Sequence, residues 1–345
     1  MRIDVHTHFQ CLDFVKYLQG RSTLPKILLD GGNYIIQCTA GLAVPSLPKI
    51  IDMEEKLRDM EEMKIDVAAL SHGIPFGPDV LDGEEADEWA KRINDNLAGI
   101  IDRYPGRFIG FGSIGFGDCQ QSIAEADRCI EKLGFKGIQV FSNISNKLLD
   151  SSEFVPVLKH IGMLGVPIQL HPAIPLNRVG LETGGQFIPL GFPYDTSLNT
   201  LRLIQSGLLD ETPNLKLIVA HIGGVLPYLV GRIGTYTAPS PLVPNPSFLK
   251  HPIEHYLRKL YVDTVCYHIE ALECCYKVIG PEQMLYGTDH PFGRYDAPAE
   301  LLEQLNCSQS ERELIYFGNA ERLLNSQTEV GHSLKVEKTR RTRCE

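Results

Sequence analysis

Eight short apolar runs, separated by amphipathic stretches of helical period, limit the fold more than any other feature of this sequence. The runs cover residues 2–6, 66–70, 108–113, 137–141, 167–171, 216–221, 260–263 and 284–288, each of strand length. Between or after them lie 51–64, 84–103, 120–133, 153–164, 200–209 and 269–279, with apolar residues recurring three and four apart. In the first of these, Met53, Leu57, Met60 and Met63 share one face and the charges take the other. Strands alternating with helices pair in parallel through crossovers. Eight such units predict an α/β fold, the closed (β/α)8 TIM barrel, and 345 residues suffice to build it. An open doubly wound sheet needs a glycine-rich phosphate turn after its first strand. Here the first run leads into His6-Thr7-His8 instead.

No linker divides the chain, so residues 1–326 are read as one barrel domain. Two long segments, 9–48 and 172–197, follow the ends of strands one and five. Barrel active sites are assembled on that face. Residues 239–252 carry five prolines and read as a rigid surface loop. The polar stretch 327–345 reads as a disordered tail. A net charge of −10 argues against nucleic acid as a partner, because phosphate binding needs a basic face. The nine cysteines form no C-x-x-C pair and no disulfide framework, which suits reduced thiols. No run approaches the roughly 20 apolar residues of a membrane span. No apolar leader precedes the first strand, so the expectation is a cytoplasmic protein without membrane contact.

On a strand, residues i and i+2 face one side, so His6 and His8 can address a single ion. Imidazole nitrogen suits zinc and other borderline divalent metals. His171 ends run five, His221 ends run six and Asp289 follows run eight. In a closed barrel those ends form a ring, and the side chains converge above it. A barrel with two metals needs a bridging lysine or glutamate at the end of strand four. That strand ends Gln139-Val140-Phe141, with Lys136 at its start, so one metal with an open position is expected.

Several segments resemble the amidohydrolase superfamily, in the branch of the aminocarboxymuconate-semialdehyde, γ-resorcylate and 5-carboxyvanillate decarboxylases. They are Asp4-Val5-His6-Thr7-His8-Phe9, Gln169-Leu170-His171-Pro172, Leu217 to Gly224, Gly287-Thr288-Asp289-His290-Pro291-Phe292 and Gly318-Asn319-Ala320. The stretches Gly191 to Thr196 and Leu203 to Pro213 are also similar to this branch, and the match runs to about Asn325. The resemblance implies that His6, His8, His171 and Asp289 bind one divalent metal, zinc first and manganese second. It implies that His221 stands beside the metal as general acid/base. It further implies a homodimer, no other cofactor, and a small carboxylic acid as substrate. The expected reaction is non-oxidative decarboxylation of an aromatic or unsaturated acid, with Asp289 and His221 moving the proton. The alternative is hydrolysis of an amide, lactone or related carbonyl by the same site.

Carboxylate recognition calls for cations near the mouth. Arg232 lies in a Gly-Arg-Ile segment resembling the branch's, where the arginine reaches a neighbouring subunit's substrate. Arg178 and Arg294 follow strands five and eight, and His72 follows strand two, so these join Arg232 as candidate substrate contacts. The basic pair of the aminocarboxymuconate-semialdehyde decarboxylases in the loop after strand one has no counterpart in Asp30-Gly31-Gly32-Asn33-Tyr34-Ile35-Ile36, which speaks against that substrate. Tyr34, Ile35 and Ile36 suit a flatter, more apolar ring. His290 is expected to point away from its neighbour Asp289 or to line the rim, and Asp263 to make a structural hydrogen bond rather than face the pocket.

Overall fold

A computed structural model describes residues 1–30, 33–39, 42–45, 48–73, 77–181, 185–237 and 249–325. Its main sheet has eight strands, each paired in parallel with the next. In chain order they are β1 (Ile3–Phe9), β2 (Val67–His72), β3 (Phe108–Ser113), β4 (Gly137–Phe141), β5 (Pro167–His171), β6 (Lys216–Val219), β7 (Tyr261–Asp263) and β8 (Met284–Leu285). The last strand returns to the first. Val5 N–H donates to the Tyr286 carbonyl at 2.9 Å, Asp289 N–H to His6 at 2.7 Å and His8 N–H to His290 at 2.9 Å. Those bonds close the barrel the periodicity predicts. The matching helices are α1 (Met53–Glu62), α2 (Gly83–Arg103), α3 (Cys119–Glu131), α4 (Val155–Met163), α5 (Phe192–Gln205), α6 (Leu226–Thr237), α7 (Ile269–Ile279) and α8 (Ala297–Gln304).

Two cores result. One lies between barrel and helices, where Leu70, Ile93, Ile138, Leu158, Ile168 and Leu272 are buried. The other fills the barrel floor, where Ile3, Val5, Phe111, Ile218 and Leu285 meet Ala320, Leu323 and Leu324 of the closing helix α9 (Asn319–Asn325). Asn319 ties that helix to the barrel by donating to the carbonyls of Pro281 and Met284, both at 2.7 Å.

The structure departs from the sequence expectations at element ends. Strand β1 runs on to Phe9, because His8 and Phe9 still pair with Ser71 and His72. Strand β6 stops at Val219, and His221 and Ile222 turn into left-handed conformations ahead of Gly223 and Gly224. Helix α5 starts at Phe192, eight residues before the expected 200, continuing a π-turn over Phe187–Gly191. Helix α8 was not expected, nor was helix α6. Its Gly231 and Gly234 weaken the helical signal, since glycine is a poor helix former. The segment after β1 is not a plain loop: it holds a helix at Leu12–Gln19 and an antiparallel sheet of Lys26–Asp30, Asn33–Thr39 and Leu42–Pro45. Most of the proline-rich stretch and the tail 327–345 lie outside the described residues.

Candidate metal centre

The strand ends bring five side chains to one point. His6 and His8 come from β1, His171 ends β5, His221 follows β6 and Asp289 follows β8. Ligand atoms of His6, His171, His221 and Asp289 all lie within 4.8 Å of one another. His8 belongs to the same cluster: its Nε2 is 3.0 Å from His6 Nε2 and 3.1 Å from Asp289 Oδ1. The His221 Nε2 is 3.4 Å from Asp289 Oδ2. His221 and Asp289 both adopt left-handed φ, 57° and 61°. Such conformations are unfavourable for residues with a Cβ and persist where the surroundings enforce them, commonly at functional sites.

The outer ring nitrogens of three histidines are occupied. His6 Nδ1 faces Asp263 Oδ2 at 2.6 Å, His8 Nδ1 faces Ser71 Oγ at 3.1 Å and His171 Nδ1 faces the Pro172 carbonyl at 3.1 Å. With hydrogen on each Nδ1, all three Nε2 atoms point inward, with lone pairs on His8 and His171 and, once a metal displaces its second proton, on His6. The His171 Nε2 is buried and has no hydrogen-bond partner within the protein. A buried acceptor left so is costly unless an electrophile meets it. Burial lowers His171 well below the usual imidazole range and His8 to about 4, which keeps both neutral and able to ligate. Burial also acts to lower His6, but Asp263 and Asp289 outweigh it and hold His6 up to about 10. Two buried carboxylates at one point therefore call for positive charge. A divalent cation meets that demand and the inward lone pairs together, so these residues fit a metal.

Close approach fixes the geometry from below. A Cβ on Gly287 would lie 2.9 Å from the Cβ of Asp263 and 3.0 Å from that of His6, so only glycine lets the chain after β8 pass here. Above the centre opens a cavity of about 640 Å³, lined by Phe187, Ile188, Phe192, Val265, Tyr267 and Phe292 among others, with His221 and Asp289 at its polar end.

The remaining sequence candidates fall elsewhere. Arg178, Arg232 and Arg294 are not among the described residues lining this cavity. Arg294 pairs with Asp296 and Glu300 on the surface, and Arg232 lies over the Tyr236 ring at 5.3 Å. His72 is buried against Phe9 and Phe14 and accepts from the Cys11 N–H at 3.2 Å. His290 does point away from Asp289, into a polar cluster with Lys56 and Asp59. Asp263 makes a structural bond, and that bond orients His6. Sequence reasoning missed Ser71 and Lys56, which carry no spacing signal.

Fold and site together define a metal-dependent barrel enzyme with an apolar mouth. The chain belongs to the amidohydrolase family, whose model matches residues 3–325. It is 31% identical over 287 residues to a γ-resorcylate decarboxylase of Polaromonas sp., covering 80% of this chain and 88% of the relative. It is 32% identical over 278 residues to the 2-amino-3-carboxymuconate-6-semialdehyde decarboxylase of Dictyostelium discoideum, covering 78% and 75%. Among solved structures, a 5-carboxyvanillate decarboxylase of Novosphingobium aromaticivorans with bound manganese superposes at a TM-score of 0.82 and 27% identity, covering 94% of this chain and 97% of the other. Among the described residues, no helix is long and apolar enough to cross a membrane.

Proposed function

We propose that this chain is a metal-dependent, non-oxidative carboxy-lyase for a small aromatic acid, with His6, His8, His171 and Asp289 as ligands and His221 as proton carrier. The carrying observation is the convergence of inward imidazole lone pairs and one carboxylate at the floor of an apolar cavity. The division of roles follows burial. His6, His8 and His171 are fully buried, whereas the His221 side chain is 19% exposed and lines the cavity. A proton carrier must face both substrate and solvent, and a ligand need not.

His6, His8, His171 and Asp289 would hold a divalent metal, which would supply Lewis acidity toward substrate oxygens. The donor set, three imidazoles and a carboxylate, suits zinc, with manganese second because a similar structure holds it. The chain supplies the rest. Phe187, Phe192 and Phe292 exclude water and offer flat apolar contact to a ring. The electron pair left on carbon by departing CO2 takes a proton from His221, whose Nε2 is oriented by Asp289. Solvent then restores the proton to His221 on its open side. No lysine or arginine is among the described lining residues, which favours an acid whose far edge is uncharged over a dicarboxylate. A homodimer belongs to this reading: Ile188, which lines the cavity, and its chain neighbours Leu190 and Tyr194 are each more than half exposed, an apolar surface for a second copy to cover.

Incubation of the zinc- or manganese-loaded protein with 2,6-dihydroxybenzoate, other hydroxybenzoates and muconic-type acids is expected to release CO2. Ester or amide turnover with no CO2 from any acid would overturn the lyase in favour of the hydrolase. His221→Ala is expected to keep the metal and lose roughly 10²–10⁴-fold in kcat. Loss of metal in that variant would make His221 a ligand instead.

A further inference from the structure

Helix α1 carries a lysine that no surface role explains. Lys56 is fully buried, and its Nζ lies 2.6 Å from His290 Nδ1 and 2.9 Å from Thr7 Oγ1. One turn on, Asp59 Oδ2 meets His290 Nε2 at 2.7 Å and Lys49 Nζ at 2.9 Å. An ammonium has only donors, so His290 Nδ1 accepts, and its Nε2–H donates to Asp59. Burial pulls Lys56 down to about 7, with Asp4, Asp59 and Asp289 opposing. A methionine would fill the space without that desolvation penalty. The amine and its hydrogen bonds to Thr7 and His290 are therefore retained for something other than packing.

Its connections lead to the metal centre. Thr7 Oγ1 donates to the His290 carbonyl at 3.1 Å, and His8 N–H donates to the same oxygen at 2.9 Å. On the other side of Asp289, Thr288 Oγ1 donates to Asp4 Oδ2 at 2.6 Å, and Asp4 Oδ1 accepts from the His6 N–H at 2.9 Å. Both neighbours of Asp289 are thus fastened to the strand that carries His6 and His8. The left-handed backbone at Asp289 needs that fastening, because such a conformation does not hold itself.

We propose that Lys56 and Asp59 are positioning residues that act through His290 to hold Asp289 in place and so set the affinity for metal. The inference rests on Asp289 being a ligand. The partners that orient a metal's ligands typically change affinity by about 10–100-fold when removed.

The test titrates Mn²⁺ into the full chain against a fluorescent chelator and follows the melting temperature of the metal-free protein separately. Lys56→Met and Asp59→Leu are each expected to weaken Mn²⁺ binding by about 10–100-fold, with kcat returning at saturating Mn²⁺. Asp59→Asn, which keeps an acceptor for the His290 N–H, is expected to restore most of the affinity. A role confined to packing would move the melting temperature and leave Mn²⁺ affinity unchanged, and that result would overturn the proposal. Should Lys56→Met fail to fold, Asp59→Leu and Asp59→Asn decide it between them. Wild-type protein that binds neither Mn²⁺ nor Zn²⁺ would overturn the metal reading itself, whereas wild-type binding with unaltered variants overturns this inference alone.

Discussion

Asp79 is a carboxylic acid in a place that disfavours its charge. It is buried, and the Gly77 N–H at 3.0 Å is a side-chain partner too weak to offset that burial. Desolvation pushes it up to about 7. A raised carboxyl binds its proton more tightly in the folded chain than in the unfolded one. That contribution is complete below about pH 4 and is lost as pH rises through about 7. Asp79→Asn should therefore match the wild type near pH 4 and exceed it at pH 8 by about 1–3 kcal/mol, read from urea unfolding at the two pH values. A difference that does not change with pH would refute the assignment. Residue-scale legibility in the sequence was uneven. His6 and His8 were readable from their i, i+2 spacing, and His171 and Asp289 from their places after apolar runs. Asp263 is 257 residues from His6 along the chain and 2.6 Å from it in space, and no local pattern carries that information.

At the scale of elements, apolar periodicity located all eight barrel strands, because a buried strand must be apolar wherever it lies, and missed the small antiparallel sheet after β1. It misjudged ends. Hydrogen bonding across the sheet decides where a strand stops, as with β1, which runs on to Phe9 beside β2. It also missed α6, whose glycines obscure a helix that packing sustains. The closing helix α9 illustrates what an element contributes. Its Leu323 is 1% exposed and packs into the barrel floor with Val5, Phe111 and Leu285. Leu323→Ala should lower stability by about 2–5 kcal/mol, the usual range for an emptied leucine site. Urea unfolding measures it, and a loss under about 1 kcal/mol would mean the floor does not depend on this helix. A smaller effect belongs to the start of α3. There Asp118 accepts from the Gln121 N–H at 2.9 Å, and Asp118→Ala should cost about 1 kcal/mol.

For the whole molecule, the metal centre is a tie as well as a reaction site. Its side chains come from β1, β5, and the turns after β6 and β8, so an ion bound there links opposite walls of the barrel. An ion that binds only the folded chain stabilises it by about 2.7 kcal/mol at a hundredfold excess over Kd. Dialysis against a chelator should lower the thermal midpoint with helix content retained at low temperature, and Zn²⁺ or Mn²⁺ should restore it. Calorimetry checks this. A midpoint indifferent to chelation and to added metal would count against a metal at this centre.

The sequence by itself determined the period of the strands and helices, hence the barrel, and the residue types at the strand ends, hence the centre's chemistry. Those are local properties: burial dictates which residues are apolar, and ligation dictates which are histidine or aspartate. Tertiary structure alone decided which partners orient those side chains. Asp263 turns His6, Ser71 meets His8, and Lys56 and Asp59 hold His290 beside Asp289. It also left the cavity without an arginine among its described lining residues, although three arginines follow the right strands. The reason is the same in each case: a hydrogen bond or a cavity wall is set by distance in space, and closing the barrel brings together residues that the chain keeps far apart.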